Sequence, residues 1–137
     1  MAIASAKRPT MLMKHTTDPK KQIFDAVGDL SDIELFGNWV LLGVYEQPEQ
    51  MASGLYVPDQ VRRESEHQGK AGLVLKKGPH AFVSDDNYDF KGLDVEVGDW
   101  CGMFVTDGRK IKIRGVLCRM VEDMHIRFRI SSPDIVW

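Results

Sequence analysis

Six short β-type segments constrain the fold of this chain more than any other feature of its 137 residues. Each segment is rich in aliphatic and aromatic residues, and turn signals such as Asp107-Gly108 and Arg114-Gly115 follow several of them. The segments span residues 38–46, 70–76, 98–106, 110–113, 116–121 and 126–130. Short strands at this spacing predict an all-β domain, a small barrel that pairs its own edges, with a hairpin at Asp107-Gly108. The predicted interior consists of the apolar residues of these strands, Trp39, Val105 and Ile111 among them.

Composition and the placement of apolar residues indicate one soluble domain. The chain is 43% apolar and 28% charged, and it holds no run of about 18 apolar residues that could span a membrane. Polar and basic residues interrupt its first 15 residues where a secretory signal would need an apolar block, so we expect a cytosolic protein with no membrane partner. Cys101 and Cys118 lie in apolar β-type segments and are spaced unlike zinc or redox pairs, which predicts buried free thiols.

The chain begins with a predicted N-terminal arm, residues 1–35, whose first 21 residues are basic, and continues as the predicted β-barrel domain, residues 36–137. Within residues 1–21 five Lys or Arg accompany one Asp, a net charge of +4, whereas the rest of the chain sums to −6. A basic arm on an acidic body favours contact with an acidic protein surface or nucleic acid, and a solvated tail is the alternative. The arm has neither interleaved aromatic residues nor an arginine-rich run, so the sequence does not predict sequence-specific nucleic-acid binding. The residues assigned to arm contacts are Lys7, Arg8, Lys14, Lys20 and Lys21.

A short helix is predicted within the arm, at about residues 18–28. Asp18 can cap its first turn, Pro19 suits its first position, and Gly28 can take the left-handed conformation that ends a helix. A helix this short is marginal alone, so its apolar stripe needs a surface, either its own barrel or a neighbouring subunit. The C-terminal tail, residues 131–137, ends on an apolar triplet that is also expected to pack against a neighbour. The residues assigned to subunit contacts are Ile23, Phe24, Val27, Ile135, Val136 and Trp137.

A polar loop, residues 47–69, separates the first two β-type segments and contains one apolar island. The island consists of Gly54, Leu55, Tyr56, Val57 and Pro58. Large apolar side chains left in water forgo roughly 1.5 to 3 kcal/mol each, so we expect the island to bind a partner. The alternative is that the island folds back as a small satellite cluster or edge strand on its own barrel.

Motifs of catalysis are missing from the sequence. It contains no glycine-rich phosphate loop, no Gly-x-Ser-x-Gly and no His-Glu-x-x-His. The acidic group of Asp85, Asp86 and Asp89 lacks the glycine and distal glutamate of an EF-hand loop, so a solvated loop is the better interpretation. Surface or packing roles are predicted for the scattered histidines, His15, His67, His80 and His125. We therefore expect a non-catalytic protein with no cofactor and no metal.

The order of these pieces resembles the GroES co-chaperonin family. That family has a first strand, a loop with an apolar island, a strand that leaves through Gly-Pro or Gly-Asn, a roof hairpin and a segment of the type LDVKVGD. Here residues 37–78 are followed by Gly92-Leu93-Asp94-Val95-Glu96-Val97-Gly98-Asp99, and residues 116–126 are similar to the closing strands of the family. The resemblance covers about residues 36–130. The segment VEDMHIRFRI and the ending SPDIVW are most similar to diverged GroES-like proteins encoded by tailed bacteriophages.

The resemblance implies a distorted β-barrel that assembles into a ring and binds an apolar groove on the apical domain of a GroEL-type chaperonin. The chain departs from a plain co-chaperonin in its N-terminal piece of roughly 30 residues, its charged stretch at 62–67 and its apolar tail. These departures favour a homo-oligomeric structural or decoration component, at the head or head–tail junction of a tailed-phage virion. Its partners would be capsid or tail proteins, and it would assemble in the host bacterial cytoplasm.

Two other functions remain open for the chain. One is a phage-encoded co-chaperonin that caps a chaperonin through Leu55, Tyr56 and Val57 and assists folding. The other is an assembly factor that contacts nucleic acid through the basic arm.

Overall fold

A six-stranded antiparallel sheet forms the centre of the protein in a computed structural model that describes residues 13–68, 70–86 and 88–135. The described residues form six strands and two α-helices, so the structure is predominantly β, as the sequence predicts. The elements are α1 (Pro19–Val27), β1 (Trp39–Val44), α2 (Asp59–Gln68), β2 (Ala71–Lys77), β3 (Trp100–Gly102), β4 (Arg109–Ile113), β5 (Val116–Glu122) and β6 (Phe128–Ile130), with 3-10 turns at Asp123–His125 and Pro133–Ile135.

The sheet is open, with the strand order β4-β5-β1-β2-β3-β6. In the part of the chain that the structure describes, β4 and β6 form its two edges, so the predicted closed barrel is not seen. The predicted hairpin at Asp107-Gly108 is wrong, because three strands separate β3 from β4. The Asp107 N–H donates to the Phe104 carbonyl at 3.0 Å, and the Asp107 carboxylate accepts from the Phe104 N–H at 3.0 Å. These two bonds form a local turn. The strand that follows it, β4, lies at the far edge of the sheet and does not pair with β3.

Both faces of the sheet are covered, which explains why β1 is buried along nearly its whole length. One face packs against α1, and the other packs against the segment 79–97. No strand occurs among residues 79–86 and 88–99, so the roof hairpin of the resemblance has no counterpart in this segment as described. The α1 layer contains Ile23, Val27, Leu41, Leu73, Trp100 and Cys118. The opposite layer contains Val40, Leu42, Val74, Phe82, Val95, Met103 and Val121.

Helix α1 lies where the cap and stop signals predict it. Asp18 accepts from the Lys20 N–H at 3.2 Å, and Gly28 leaves the helix with φ 69°. Arg114, in the turn between β4 and β5, donates to the carbonyls of Val27 at 2.6 Å and Asp29 at 2.5 Å. The bond to Val27 satisfies one of the carbonyl groups that the end of a helix leaves without intrahelical partners.

The apolar residues of α1 pack on their own chain, which corrects their predicted assignment to subunit contacts. Ile23 and Val27 are buried in the core of their own chain, and Phe24 is half-buried against the same core. Residues 13 and 14, which precede the helix, also pair with their own chain, as described below. The helix therefore packs on the sheet of its own chain. No described helix is long and apolar enough to cross a membrane.

Three residues of the predicted interior lie on the outside. Trp39, Val105 and Ile111 are all exposed. Trp39 is the first residue of β1, Val105 belongs to the turn before β4, and Ile111 lies in the edge strand β4. Apolar type alone predicted their burial, whereas strand ends and edges leave side chains in solvent.

Candidate partner-binding site

The apolar island forms the tip of a short hydrogen-bonded hairpin. Residues 49–57 turn back on themselves through an antiparallel bridge between Gln50 and Tyr56. The Met51 N–H donates to the Leu55 carbonyl at 2.7 Å, and the Val57 N–H donates to the Glu49 carbonyl at 2.8 Å. Gly54, at φ 94°, takes the backbone conformation that the turn requires, and its carbonyl accepts from Gln50 Nε2 at 2.8 Å. We call residues 49–57 the binding hairpin.

The island residues divide into an exposed tip and a buried anchor. The side chains of Leu55 and Tyr56 are 66% and 73% exposed, whereas Val57 is 5% exposed. Gly54 and Pro58 are also exposed. The alternative that the island folds back onto its own chain therefore holds for Val57 alone. Two large neighbouring apolar side chains remain available at the tip for a partner.

Helix α2 follows the hairpin directly and was missed by the sequence analysis, which treated residues 47–69 as loop. In its first turn, the Arg62 N–H donates a hydrogen bond to the Pro58 carbonyl at 3.1 Å. Arg62 also contacts the chain just before the hairpin, with Nε donating to the Gln47 carbonyl at 3.3 Å. At the other end, the buried Arg119 of β5 donates to the Gln68 carbonyl at 3.2 Å. A predictive signal existed in the first-turn Asp59, which favours a helix N-terminus.

The N-terminal segment lies alongside the hairpin. Met13 forms an antiparallel bridge with Met51, and the Lys14 N–H donates to the Gln50 carbonyl at 2.8 Å. The hairpin strand that contains Gln50 and Met51 therefore has a backbone partner on each side. We call residues 13–15 the strap.

A buried polar cluster fixes the other side of the strap. Asp134, which is 8% exposed, accepts hydrogen bonds from the Tyr45 hydroxyl and from the Met13 N–H at 3.4 Å. His15 Nε2 lies 3.1 Å from Asp134 Oδ2 and 3.2 Å from the Tyr45 hydroxyl. Burial, with the hydrogen bond to Asp134, raises the pKa of Tyr45 far above its usual range. Tyr45 therefore stays a neutral donor, and the tyrosine ring packs edge-on against Trp100 at 5.7 Å between centroids.

The remaining predicted site residues do not form one surface. Lys7, Arg8, Val136 and Trp137 lie outside the described residues. Lys14 Nζ lies 3.4 Å from Gln50 Oε1, Lys20 is on the first turn of α1, and Lys21 pairs with Asp25 at 2.7 Å within the same helix. Ile135 is exposed beside Asp134.

Among the described residues, no group of three or more His, Cys, Asp or Glu side chains is placed to hold a metal ion. A groove of about 370 Å³ lies between the strap, α1 and the base of the binding hairpin, with His15, Tyr45 and Arg62 among its lining residues. Cys101 and Cys118 are free and buried. His15 Nε2 lies within hydrogen-bonding distance of Asp134 and Tyr45.

No protein-family model matches this chain, and no curated protein matches it.

Proposed function

We propose that the chain is a non-catalytic, GroES-like binding protein that inserts Leu55 and Tyr56 into an apolar groove of a GroEL-type chaperonin. One observation carries this proposal: two adjacent large apolar side chains are mostly exposed at the tip of a hydrogen-bonded hairpin. An apolar pair held in solvent by an ordered backbone is a binding feature more than a packing feature.

The energetics suit a weak contact repeated in an oligomer. Burial of each large apolar side chain contributes about 1.5 to 3 kcal/mol before the costs of association. Two such side chains give a modest affinity per copy, and several copies in one assembly raise the overall affinity through effective concentration. We include homo-oligomerisation in the proposal for this reason.

We also propose that the chain has a GroES-like fold. The order of strand, apolar hairpin, strand, covering segment and LDVEVGD segment follows the order in that family. The open edges β4 and β6 could meet those of neighbouring copies, which would close the sheet system between subunits.

A structural role in a tailed-phage virion is the second candidate. It is favoured by the exposed apolar residues Ile111 on edge strand β4, Phe128 on edge strand β6 and Ile135 after it, all of which suit contacts with capsid or tail proteins. Its other support, an arm that extends to a neighbour, does not apply to residues 13–27, which pack on their own chain. We therefore rank this role second. The protein would then be present in purified particles, and its absence from them would remove the candidate.

The test of the first candidate is binding to a purified GroEL-type chaperonin with and without ATP. We expect nucleotide-dependent co-elution of the wild-type chain and at least a roughly tenfold loss of affinity for Tyr56→Asp, because a charge cannot enter an apolar groove unpaired. Leu93→Asp is the matched control, since Leu93 is an exposed apolar residue outside the hairpin. Equal binding of both variants, or no binding of the wild type, would reject the proposal.

A further inference from the structure

We propose that Asp134 is a positioning residue for the binding hairpin, because it holds the strap in place as a third strand along the hairpin. The proposal concerns the same site as the proposed function and rests on it for its consequence in binding. The geometry on which it stands is independent of any partner.

The hairpin alone has few contacts to stabilise it. A two-stranded hairpin is marginally stable in water, and this one exposes both large side chains at its tip. The strap adds the Met13–Met51 bridge and the 2.8 Å bond from the Lys14 N–H to the Gln50 carbonyl. Val57 supplies the only side chain of the island that is buried. The strap is therefore a large part of what orders the hairpin.

Asp134 in turn orders the strap. Its carboxylate accepts from the backbone of Met13 at 3.4 Å and lies 3.1 to 3.2 Å from the ring nitrogen of His15. Removal of this one carboxylate would leave two strap residues without their shared acceptor, in a buried site where water replaces it poorly. The contact joins residues 119 to 121 positions apart, so it ties the two ends of the described chain to the hairpin.

Order in the free hairpin would raise its affinity for a partner. A flexible loop loses about 1 to 2 kcal/mol per residue when a partner orders it, whereas a hairpin that is already ordered does not. Release of the strap would lower the fraction of molecules that hold the binding conformation, and the apparent Kd would rise by the inverse of that fraction.

The test is amide hydrogen exchange of the free, full-length protein, read at Met51, Gly54 and Val57. Asp134→Asn is expected to increase exchange at these amides at least about tenfold and to leave that of Leu42 in β1 within about twofold. Lys14→Pro removes the strap's donor to Gln50 and replaces none of the side chains that contact Asp134, and we expect the same local effect. His15→Gln keeps a side-chain donor toward Asp134 and is expected to preserve most of the protection.

A control variant separates positioning from general stability. Asp123→Asn alters a different buried carboxylate, remote from the hairpin in its contacts, and is expected to leave the exchange at Met51, Gly54 and Val57 close to that of the wild type. Unchanged hairpin exchange in both Asp134→Asn and Lys14→Pro would overturn the proposal, as would an equal rise at Leu42. Because no chaperonin is present, failure here is distinct from failure of the proposed function.

Discussion

Gly43 of β1 lies directly beneath Ile23 of α1, and a Cβ placed at Gly43 would be 2.7 Å from Ile23 Cγ2. The absence of a side chain at this position lets the helix approach the sheet closely enough to bury both Ile23 and Val27. This contact explains why the N-terminal helix belongs to the core of its own chain.

Gly43→Ala is predicted to destabilise the protein by about 1 to 3 kcal/mol, because the β-branched Ile23 cannot move its Cγ2 without displacing the helix. Urea unfolding measures the change. The Ile23→Ala variant removes the clashing methyl, so the cost of Gly43→Ala should be smaller in that background. Strictly additive free energies for the two substitutions would contradict this packing.

Asp123→Ala is predicted to destabilise the protein by about 3 kcal/mol. The buried carboxylate accepts from Asn38 Nδ2 at 3.0 Å and from the Phe82 N–H at 2.9 Å, and thereby joins the start of β1 to the segment over the sheet. Alanine would leave the Phe82 N–H buried without this acceptor. Asp86→Ala, at an exposed position, is the control and should change the free energy of unfolding by less than about 0.5 kcal/mol. Equal effects of the two substitutions would refute the role of Asp123.

Both thiols are predicted to be unreactive in the folded protein. Burial raises the pKa of Cys118 to about 11, and burial together with the negative charge of Asp99 raises the pKa of Cys101 to about 12. Labelling with a thiol reagent near pH 8 should therefore be roughly 100-fold or more slower in buffer than in denaturant. Rapid labelling of either cysteine under native conditions would show that its strand opens readily.

The Asp107–Arg127 pair predicts a loss of stability in acid. Burial alone would raise the pKa of Asp107, but the hydrogen bonds from Arg127 and from the Phe104 N–H outweigh it and hold the pKa below its ordinary value. A carboxyl group whose pKa falls on folding contributes stability above its unfolded pKa of about 3.9, and this contribution disappears as the pH falls through the folded value.

Arg127→Gln removes the guanidinium and tests this linkage. The wild type should exceed the variant in free energy of unfolding by a constant amount between about pH 5 and 7, and the difference should shrink below about pH 4. Urea titrations at a series of pH values measure it. A difference that stays constant into strong acid would mean that Arg127 does not lower the pKa of Asp107 in the folded protein.

The strands were predictable because their apolar, β-branched segments are local signals, and each of the six predicted segments overlaps an observed strand. Strand order was not predictable from the same signals. Asp107-Gly108 has the residues of a hairpin turn, but the side chain of Asp107 accepts from Phe104 within the turn, and the next strand pairs with β5. Local turn chemistry indicates where a chain turns and leaves open which strand it joins.

The candidate site was predicted in part. The apolar island stands out in a polar loop, so Leu55 and Tyr56 could be found from the sequence, whereas burial of Val57 depends on the tertiary fold. Helix α2 has little apolar periodicity, and its C-terminal end is held by Arg119, which lies 51 residues from Gln68 in sequence. The Asp134 cluster joins residues even farther apart, and no local pattern marks such a contact.

Photo-crosslinking from position 56 tests whether Tyr56 enters the apolar groove of a GroEL-type chaperonin. A benzoylphenylalanine residue would replace Tyr56 in one variant and the exposed Leu93 in the control, and each would be irradiated with a GroEL-type chaperonin and ATP. We expect crosslinks from position 56 to the apolar groove of the apical domain and none there from position 93. Crosslinks from position 56 only to other copies of this chain, or an equal yield from both positions, would contradict it.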